Sequence, residues 1–239
     1  MHEMQKKYES SIAELAECCV RTAGLGYVTS HGGNLSYRVD SDVVLITPTK
    51  VAKRKITFDD ICIIDLNGEV LYAGEGRRPT GETPFHVRIF QKRPDLKGLV
   101  HAHPPVLTGF AMADSALLEK PLLPEPIIEV GPMVPVPYAE PLSDELAEAF
   151  DDAIELSNAF LMKNHGVMVT SSDGIERALD FLEMYEAAAK SIVVSEMLGG
   201  TSTLTKKDVQ NLDRTMNTRG LPMPGRPGRV SSLVQLFFT

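Results

Sequence analysis

The sequence is poor in cysteine, and this limits how the fold can be held together. Its 239 residues include three cysteines, Cys18, Cys19 and Cys62. Two of them are neighbours and their number is odd, so a disulfide framework is not expected. The sequence contains no Cys-x-x-Cys pair, which argues against a zinc site built on paired thiolates.

The sequence also lacks the apolar segments that direct or anchor a protein at a membrane. Residues 1–7 contain no apolar core of a signal peptide. No apolar run approaches the length of about 18 residues that a membrane span requires. We therefore expect a soluble, cytoplasmic protein with no membrane partner.

Positive charge is in deficit. The chain has 24 Lys and Arg residues against 32 Asp and Glu residues, which gives a formal net charge of -8. An acidic surface of this kind does not favour nucleic acid as a partner, although a local basic spot can still bind a small anion. The length and the 43% hydrophobic content predict one domain over residues 1–239, with a Pro/Gly-rich tail from about residue 220.

Hydrophobic periodicity predicts helices and strands along the whole chain. Helices are expected at 4–23, 82–93, 106–112, 143–156, 174–198 and 206–217. Strands are expected at 34–39, 43–46, 62–66, 69–72, 99–103, 127–130, 133–138, 159–163 and 167–170. Asn67-Gly68 predicts a hairpin with a type I′ turn. The apolar end of the tail, 233–238, is expected to dock on another surface, often a neighbouring subunit.

Two histidines close the short strand predicted at 99–103. Side chains alternate along a strand, so His101 and His103 face the same side. The spacing suits half of a metal site, and it suits equally a strand with two unrelated polar residues. A third histidine, His165, lies in a predicted tight turn where its ring can point into a site. Three histidines would leave one position of a tetrahedral zinc ion open, which is the catalytic arrangement.

Turns that contain glycine and threonine are candidate anion sites. Gly33-Asn34 precedes a strand, and the free N–H groups of such a turn suit a phosphate, although a plain tight turn has the same pattern. Thr49-Lys50 follows another strand. The Lys50 ammonium could hold an anion or begin the solvated basic run 50–55.

Glu82 begins a predicted helix after a Gly/Thr loop. Its carboxylate could complete a metal site or act as a base. His86 is four residues further on, on the same helix face. We expect this pair to form an ordinary surface contact.

Seven short motifs follow one another within residues 10–200, namely Gly-Gly-Asn, Thr-Pro-Thr, Pro-Thr-Gly-Glu, Arg-Pro-Asp, His-Ala-His-Pro-Pro, Pro-Tyr-Ala and Asn-His-Gly. Their order resembles that of the class II aldolase/adducin family. The resemblance implies an α/β fold, a single α/β/α domain with a largely antiparallel central sheet. It also implies a homotetramer with sites at subunit interfaces. Adducin-like members lack the metal histidines that this chain keeps, so an enzyme is expected rather than an adducin-like binding module.

The resemblance further implies roles for individual residues. His101, His103 and His165 would bind Zn²⁺ or another divalent cation such as Mn²⁺ or Co²⁺, and Glu82 would be the acid/base. The substrate phosphate would lie against Gly33, Asn34, Thr49, Thr80 and Gly81.

The implied reaction is the cleavage of a small, fuculose-1-phosphate-like ketose 1-phosphate. The products would be dihydroxyacetone phosphate and an aldehyde, formed via a metal-stabilised enediolate. Two alternatives use the same metal site, namely decarboxylation of a phosphorylated 3-oxo sugar acid and 4-epimerisation of ribulose phosphate. Because the epimerase usually has Asp at the position of Glu82, the glutamate favours carbon–carbon cleavage.

Three departures from the family pattern concern the substrate. Lys50 replaces a glycine, and Gly81 replaces a serine. The tyrosines that assist in fuculose-phosphate aldolase have no counterpart here, neither near Glu125 nor at Arg219. We hypothesise that Arg219 or Lys50 binds a second anionic group such as a carboxylate; alternatively, Arg219 is a solvated tail residue.

Overall fold

The structure is a computed structural model that describes residues 2–113 and 115–238. Its strands are β1 Asn34–Asp40, β2 Val43–Ile46, β3 Cys62–Asp65, β4 Val70–Tyr72, β5 Gly98–Ala102, β6 Met133–Val136, β7 Ala159–Met162 and β8 Gly166–Ser171. They form one eight-stranded sheet in the order β4-β3-β2-β1-β5-β8-β7-β6. Within the described residues, neighbouring strands are antiparallel except β6 and β7, which are parallel. The expected, largely antiparallel sheet is therefore confirmed.

The α-helices are α1 Glu3–Lys7, α2 Glu9–Gly24, α3 Thr83–Lys92, α4 Pro105–Met112, α5 Pro124–Glu129, α6 Asp144–Glu148, α7 Ile175–Met197, α8 Lys206–Arg219 and α9 Leu233–Phe238. Short 3₁₀ turns lie at Lys53–Lys55, Phe58–Asp60, Leu117–Glu119 and Ala153–Glu155. Among the described helices, none combines the length and the apolar character that crossing a bilayer would need.

Helices cover both faces of the sheet because the central strand β5 is apolar on both of its faces. Val100 and Ala102 belong to the core under α2, α4 and α7. Leu99 lies on the opposite face of the sheet and packs with Phe85 and Phe90 of α3. All residues of β5 are buried, as a strand with both faces covered requires. This arrangement is the predicted α/β/α sandwich.

Three local predictions were wrong. Residues 127–129 belong to α5 rather than to a strand, and Val130 caps the end of this helix. Pro124 occupies the first turn of α5, where it removes no hydrogen bond. The helix predicted over 143–156 ends at Glu148 and is followed by a 3₁₀ turn. The Asn67-Gly68 turn is not type I′, since only Gly68 has a positive φ, +85°. The Asp65 carboxylate accepts hydrogen bonds from the N–H groups of Asn67 and Glu69. These bonds stabilise a turn in which Asn67 keeps a negative φ.

The C-terminal tail docks on its own chain. Leu233 of α9 is fully buried beside Val209 and Met216 of α8. The Asp213 carboxylate accepts the N–H groups of Leu233 and Val234, at 2.6 and 3.4 Å. The tail therefore docks on another surface, as expected, and Leu233 finds that surface within its own chain, whereas Phe238 is 39% exposed.

One buried arginine joins the end of α3 to the tail. Arg93 is 1% exposed, and its guanidinium donates to both carboxylate oxygens of Asp95, at 2.8 and 2.7 Å. The same group donates to the carbonyl oxygens of Ile154 and Gly225 and to the side-chain oxygen of Asn158. Five planar donors are needed to reach partners in so many directions.

We expect Arg93→Lys to lower the free energy of unfolding by about 2–4 kcal/mol, because it leaves several buried acceptors unpaired. Arg88→Lys is the matched control. Arg88 lies on the same helix and pairs with Asp151, but it is one-third exposed, so its loss should cost under about 1 kcal/mol. Urea unfolding of both variants measures the difference, and equal midpoints would contradict the role of Arg93.

Candidate metal centre and active site

Three histidines meet where two neighbouring central strands of the sheet end and begin. His101 and His103 lie at the end of β5, and His165 lies in the turn that leads into β8. Because β5 and β8 are antiparallel neighbours, the end of one is beside the start of the other. The ligand nitrogens of the three rings all lie within 4.8 Å of one another. The structure therefore brings together the three residues that the sequence proposed as metal ligands.

Two close backbone approaches make this cluster possible. A Cβ on Gly166 would lie 2.4 Å from the His103 ring and 2.6 Å from the carbonyl oxygen of Ala102. Gly33 has a φ of +65°, and a Cβ there would lie 2.8 Å from the carbonyl oxygen of His101. Only glycine fits at either position without displacing the strand that carries the histidines.

Burial favours the neutral form of the three rings, which is the form that binds a metal. Burial lowers the pKa of each ring, His103 to about 4, and the neighbouring rings lower the pKa of His101 further. The Nδ1 of His101 lies 2.9 Å from the Val167 carbonyl, so this nitrogen carries the proton. The lone pair of Nε2 then points to Nε2 of His103, 3.1 Å away. Converging lone pairs of this kind fit a divalent cation.

Glu82 stands beside the histidine cluster. Its carboxylate oxygens lie 3.5 Å from Nε2 of His101 and 3.5 Å from Nε2 of His165. The residue is 7% exposed, and its Oε2 accepts a hydrogen bond from the side-chain amide of Asn34 at 2.7 Å. A carboxylate at this distance can move a proton within the site or approach a bound ion.

The Glu82–His86 pair is not the surface contact that the spacing predicts. His86 is fully buried, and Nε2 of its ring bonds Oδ1 of Asn34. Asn34 therefore joins Glu82 to His86. Each end of the Asn34 side-chain amide thus has a protein partner, and the residue also lines the cavity described next.

A cavity of about 560 Å³ opens above the cluster. Nine predicted residues line it: Gly33, Asn34, Thr49, Lys50, Thr80, Gly81, Glu82, His103 and His165. Six further lining residues were not among the predicted site residues, namely His31, Gly32, Arg78, Pro79, Pro141 and Leu142. The fully buried His101 lies beneath the cavity.

A short backbone ladder holds the two loops at the cavity mouth. The N–H of Thr49 donates to the carbonyl of Arg78, and the N–H of Thr80 donates to the carbonyl of Thr47, both at 3.0 Å. The exposed side chains of Lys50 and Arg78 are thereby placed at one mouth. Arg78 lies in a Gly/Arg-rich segment just before Thr80, and that proximity is the signal that could have identified it.

The side chain of Leu142 lies over Gly81. The φ of Leu142 is +70°, an uncommon conformation for leucine. A Cβ at position 81 would lie 2.9 Å from Cδ2 of Leu142. The space of the missing serine hydroxyl is therefore taken by an apolar group.

Arg219 and Glu125 lie elsewhere. Arg219 is the exposed last residue of α8 and, within the described residues, is not part of the cavity lining. Glu125 begins α5 and lines a separate groove with Glu183. Neither side chain contacts the candidate site of its own chain.

The comparison with known families agrees with this geometry. The profile described as Class II Aldolase and Adducin N-terminal domain matches residues 13–193. The chain belongs to this family. Members of the aldolase branch use a divalent metal, and the three-histidine cluster could bind one.

Relatives with named activities are lyases. A 3-oxo-tetronate 4-phosphate decarboxylase of Haemophilus influenzae is 34% identical over 68% of this chain and 78% of that protein. An L-fuculose phosphate aldolase of Methanococcus maripaludis is 31% identical over 78% of this chain and 98% of its own. These names confirm the expectation of an enzyme and leave its specific reaction open.

Solved structures of the family share the fold. YgbL of Klebsiella pneumoniae, named as an aldolase/epimerase/decarboxylase, is 28% identical and has a TM-score of 0.77, over 85% of this chain and 98% of its own. An L-fuculose 1-phosphate aldolase has a TM-score of 0.75 at 24% identity, over 87% of this chain and 96% of its own. The class II aldolase fold predicted from the motifs is thus confirmed.

We expect Gly166→Ala to weaken divalent-metal binding at least about tenfold, because the new methyl group displaces the His103 ring. Gly109→Ala is the control, since a Cβ at position 109 of α4 meets nothing within 4 Å. Chelator competition of the metal-loaded proteins measures the affinity. Unchanged binding in Gly166→Ala would show that the His103 position is not constrained by this contact.

Proposed function

We propose that the protein is a divalent-metal-dependent carbon–carbon lyase acting on a small phosphorylated keto sugar. The observation that carries the proposal is the meeting of three neutral histidines with the Glu82 carboxylate, 3.5 Å from two of them. The site lies under a cavity with a cationic mouth. This set provides metal ligands, a proton-transfer group and an anion site together.

The histidines would hold the metal through their unprotonated nitrogens. Imidazole ligands suit Zn²⁺, and Mn²⁺ or Co²⁺ can occupy the same kind of site. A divalent ion bound by His101, His103 and His165 would act as a Lewis acid that stabilises negative charge on the substrate oxygens. The neutral state of the rings means that binding displaces no proton from them near neutral pH.

Glu82 is the group that we assign to proton transfer. Its Oε2 accepts from Asn34, and its Oε1 faces His165 at the cavity. When a carbon–carbon bond breaks next to a carbonyl, the carbon left as an enediolate must be protonated. A carboxyl group held beside the reacting carbon can deliver that proton.

The phosphate would bind at the cavity mouth. The turn at Gly33 and the loop at Gly81 present backbone to the cavity, and Thr49 and Thr80 bring hydroxyl groups. Such turns bind phosphate through N–H groups. Lys50 adds an ammonium on the same side.

The reaction that we favour is aldol cleavage of a ketose 1-phosphate to dihydroxyacetone phosphate and an aldehyde. Support comes from relatives named L-fuculose phosphate aldolase and from a 5-deoxy-D-ribulose 1-phosphate aldolase of Bacillus thuringiensis. The glutamate at position 82 supports the same choice.

A second candidate is the decarboxylation of a phosphorylated 3-oxo acid. The observation that favours it is the pair of cationic side chains, Lys50 and Arg78, at one mouth. One cation suffices for a phosphate, and a second suits a substrate that also carries a carboxylate. Loss of carbon dioxide from 3-oxo-tetronate 4-phosphate gives the same enediolate as the aldol cleavage, so both reactions release dihydroxyacetone phosphate.

The co-product therefore identifies the reaction. Metal-loaded protein is incubated with fuculose 1-phosphate, 5-deoxyribulose 1-phosphate and 3-oxo-tetronate 4-phosphate, while dihydroxyacetone phosphate, aldehyde and carbon dioxide are measured. We expect aldehyde in equal amount to dihydroxyacetone phosphate. Glu82→Gln should lower kcat at least about 100-fold with its metal retained, and His101→Ala should lose the metal. Carbon dioxide alone would establish the second candidate, and no dihydroxyacetone phosphate from any substrate would contradict both.

The two cations at the mouth can be tested separately. Lys50→Met and Arg78→Met should each raise the KM for the 3-oxo acid about tenfold, and at least one should change the KM for the ketose phosphate much less. Arg54→Met is the control, because Arg54 belongs to the same basic run but lies outside the cavity lining. Equal effects on both substrates would mean that both cations serve the phosphate.

We further propose, from the resemblance, that the protein is a cytoplasmic homotetramer with its sites at subunit interfaces. In that assembly a residue that is distant from its own cavity, such as Arg219, could reach the site of a neighbour.

A further inference from the structure

A line of four buried side chains ends at Glu82. Ser36, His86 and Asn34 are each 3% exposed or less, and Glu82 is 7% exposed. The Ser36 hydroxyl lies 2.6 Å from Nδ1 of His86, and Nε2 of His86 bonds Oδ1 of Asn34. The Asn34 amide nitrogen lies 2.7 Å from Oε2 of Glu82. These contacts bind β1 to α3 directly behind the carboxylate.

The direction of every hydrogen bond in this line follows from Glu82. An ionised carboxylate only accepts, so Asn34 must turn its NH₂ group towards it. Oδ1 of Asn34 then faces His86, whose Nε2 must carry the proton. Nδ1 of His86 is left as an acceptor, and the Ser36 hydroxyl donates to it. The ring can therefore adopt one tautomer only.

The surroundings keep the His86 ring in that form. Burial lowers the pKa of His86 to about 3, so the ring stays neutral and Nδ1 stays an acceptor. Phe85 stacks on the ring at 4.6 Å and meets the His101 ring edge-on at 5.6 Å. The imidazole can neither rotate nor take up a second proton without losing a buried hydrogen bond.

We propose that His86, oriented by Ser36, is a positioning residue that fixes the Glu82 carboxylate through Asn34. The inference rests on the proposed function, because it takes Glu82 as the proton-transfer group. Fixing Oε2 leaves Oε1 beside His165 at the cavity where a substrate would bind. Proton transfer requires that the carboxylate be positioned within a few tenths of an ångström, whereas holding a metal ion or a phosphate does not involve His86.

The half-reaction on dihydroxyacetone phosphate isolates this effect. In deuterated water, Glu82 takes a proton from the hydroxymethyl carbon and exchanges it with solvent, and the enediolate then takes up a deuteron at carbon. No carbon–carbon bond is made or broken. Nuclear magnetic resonance of the remaining C–H signal gives the turnover and the KM of the exchange, with metal content measured on the same samples.

The variants separate positioning from folding. His86→Phe keeps the ring shape and removes both nitrogens, whereas His86→Gln can keep a donor near Asn34. Ser36→Ala removes the group that orients the ring. Thr170→Val is the control, because Thr170 of β8 is fully buried and the side-chain hydrogen bond that it donates to the Asn158 carbonyl has no link to Glu82.

We expect His86→Phe to lower exchange turnover at least about 30-fold, with KM within about threefold and metal content unchanged. His86→Gln should recover most of the turnover, Ser36→Ala should lose about three- to tenfold, and Thr170→Val should match the wild type. Wild-type turnover in His86→Phe would overturn the positioning role. A fall in metal content, or a rise in KM, that parallels the fall in turnover would overturn it as well.

If His86→Phe does not fold, Ser36→Ala decides by the same criteria. A wild-type enzyme that fails to exchange while binding metal would contradict the proposed function and the inference together, whereas exchange in all variants would contradict the inference alone.

Discussion

Three imidazole rings can meet in a buried place only if they are uncharged, and the structure around the site follows from this requirement. Burial lowers the pKa values of His101, His103 and His165. The Val167 carbonyl fixes the proton of His101 on Nδ1, the ring nitrogen that faces away from the other two histidines. The lone pairs then converge on one point. The rings come this close because Gly166 leaves room for His103, and because β8 begins beside the end of its antiparallel neighbour β5.

The rest of the site comes from segments that lie beside the same strand ends. The start of β1 lies beside the end of β5, so Asn34 stands opposite His101 in the register. Asn34 uses that position to bond Glu82 at the start of α3. The two loops joined by Thr49 and Thr80 close the remaining side. The candidate metal ligands, the proposed proton-transfer group and the loops proposed to bind the phosphate thus lie together at one end of the central strands.

The sequence predicted much of this because the relevant signals are local. Alternation along a strand places His101 and His103 on one side, and glycine-containing turns mark the places where backbone approaches closely. It did not predict the long-range contacts. Nothing in the local pattern indicates that the Asn34 side chain joins Glu82 to His86. For Arg78 the local signal is only its proximity to Thr80, and the backbone hydrogen bond from Thr49 is what places it at the cavity.

By itself, the sequence determined the α/β/α class, the family and the three histidines, since each depends on residue type and spacing along a few segments. The tertiary structure decided which side chains share an environment. His86 and Glu82 have the spacing of a surface pair, but α3 lies with that face against the sheet, so burial makes them the two ends of an asparagine bridge. The tail looks free in sequence, yet Asp213 and α8 bind it. Burial and pairing between distant segments cannot be read from local pattern, and they set the protonation and orientation on which the chemistry depends.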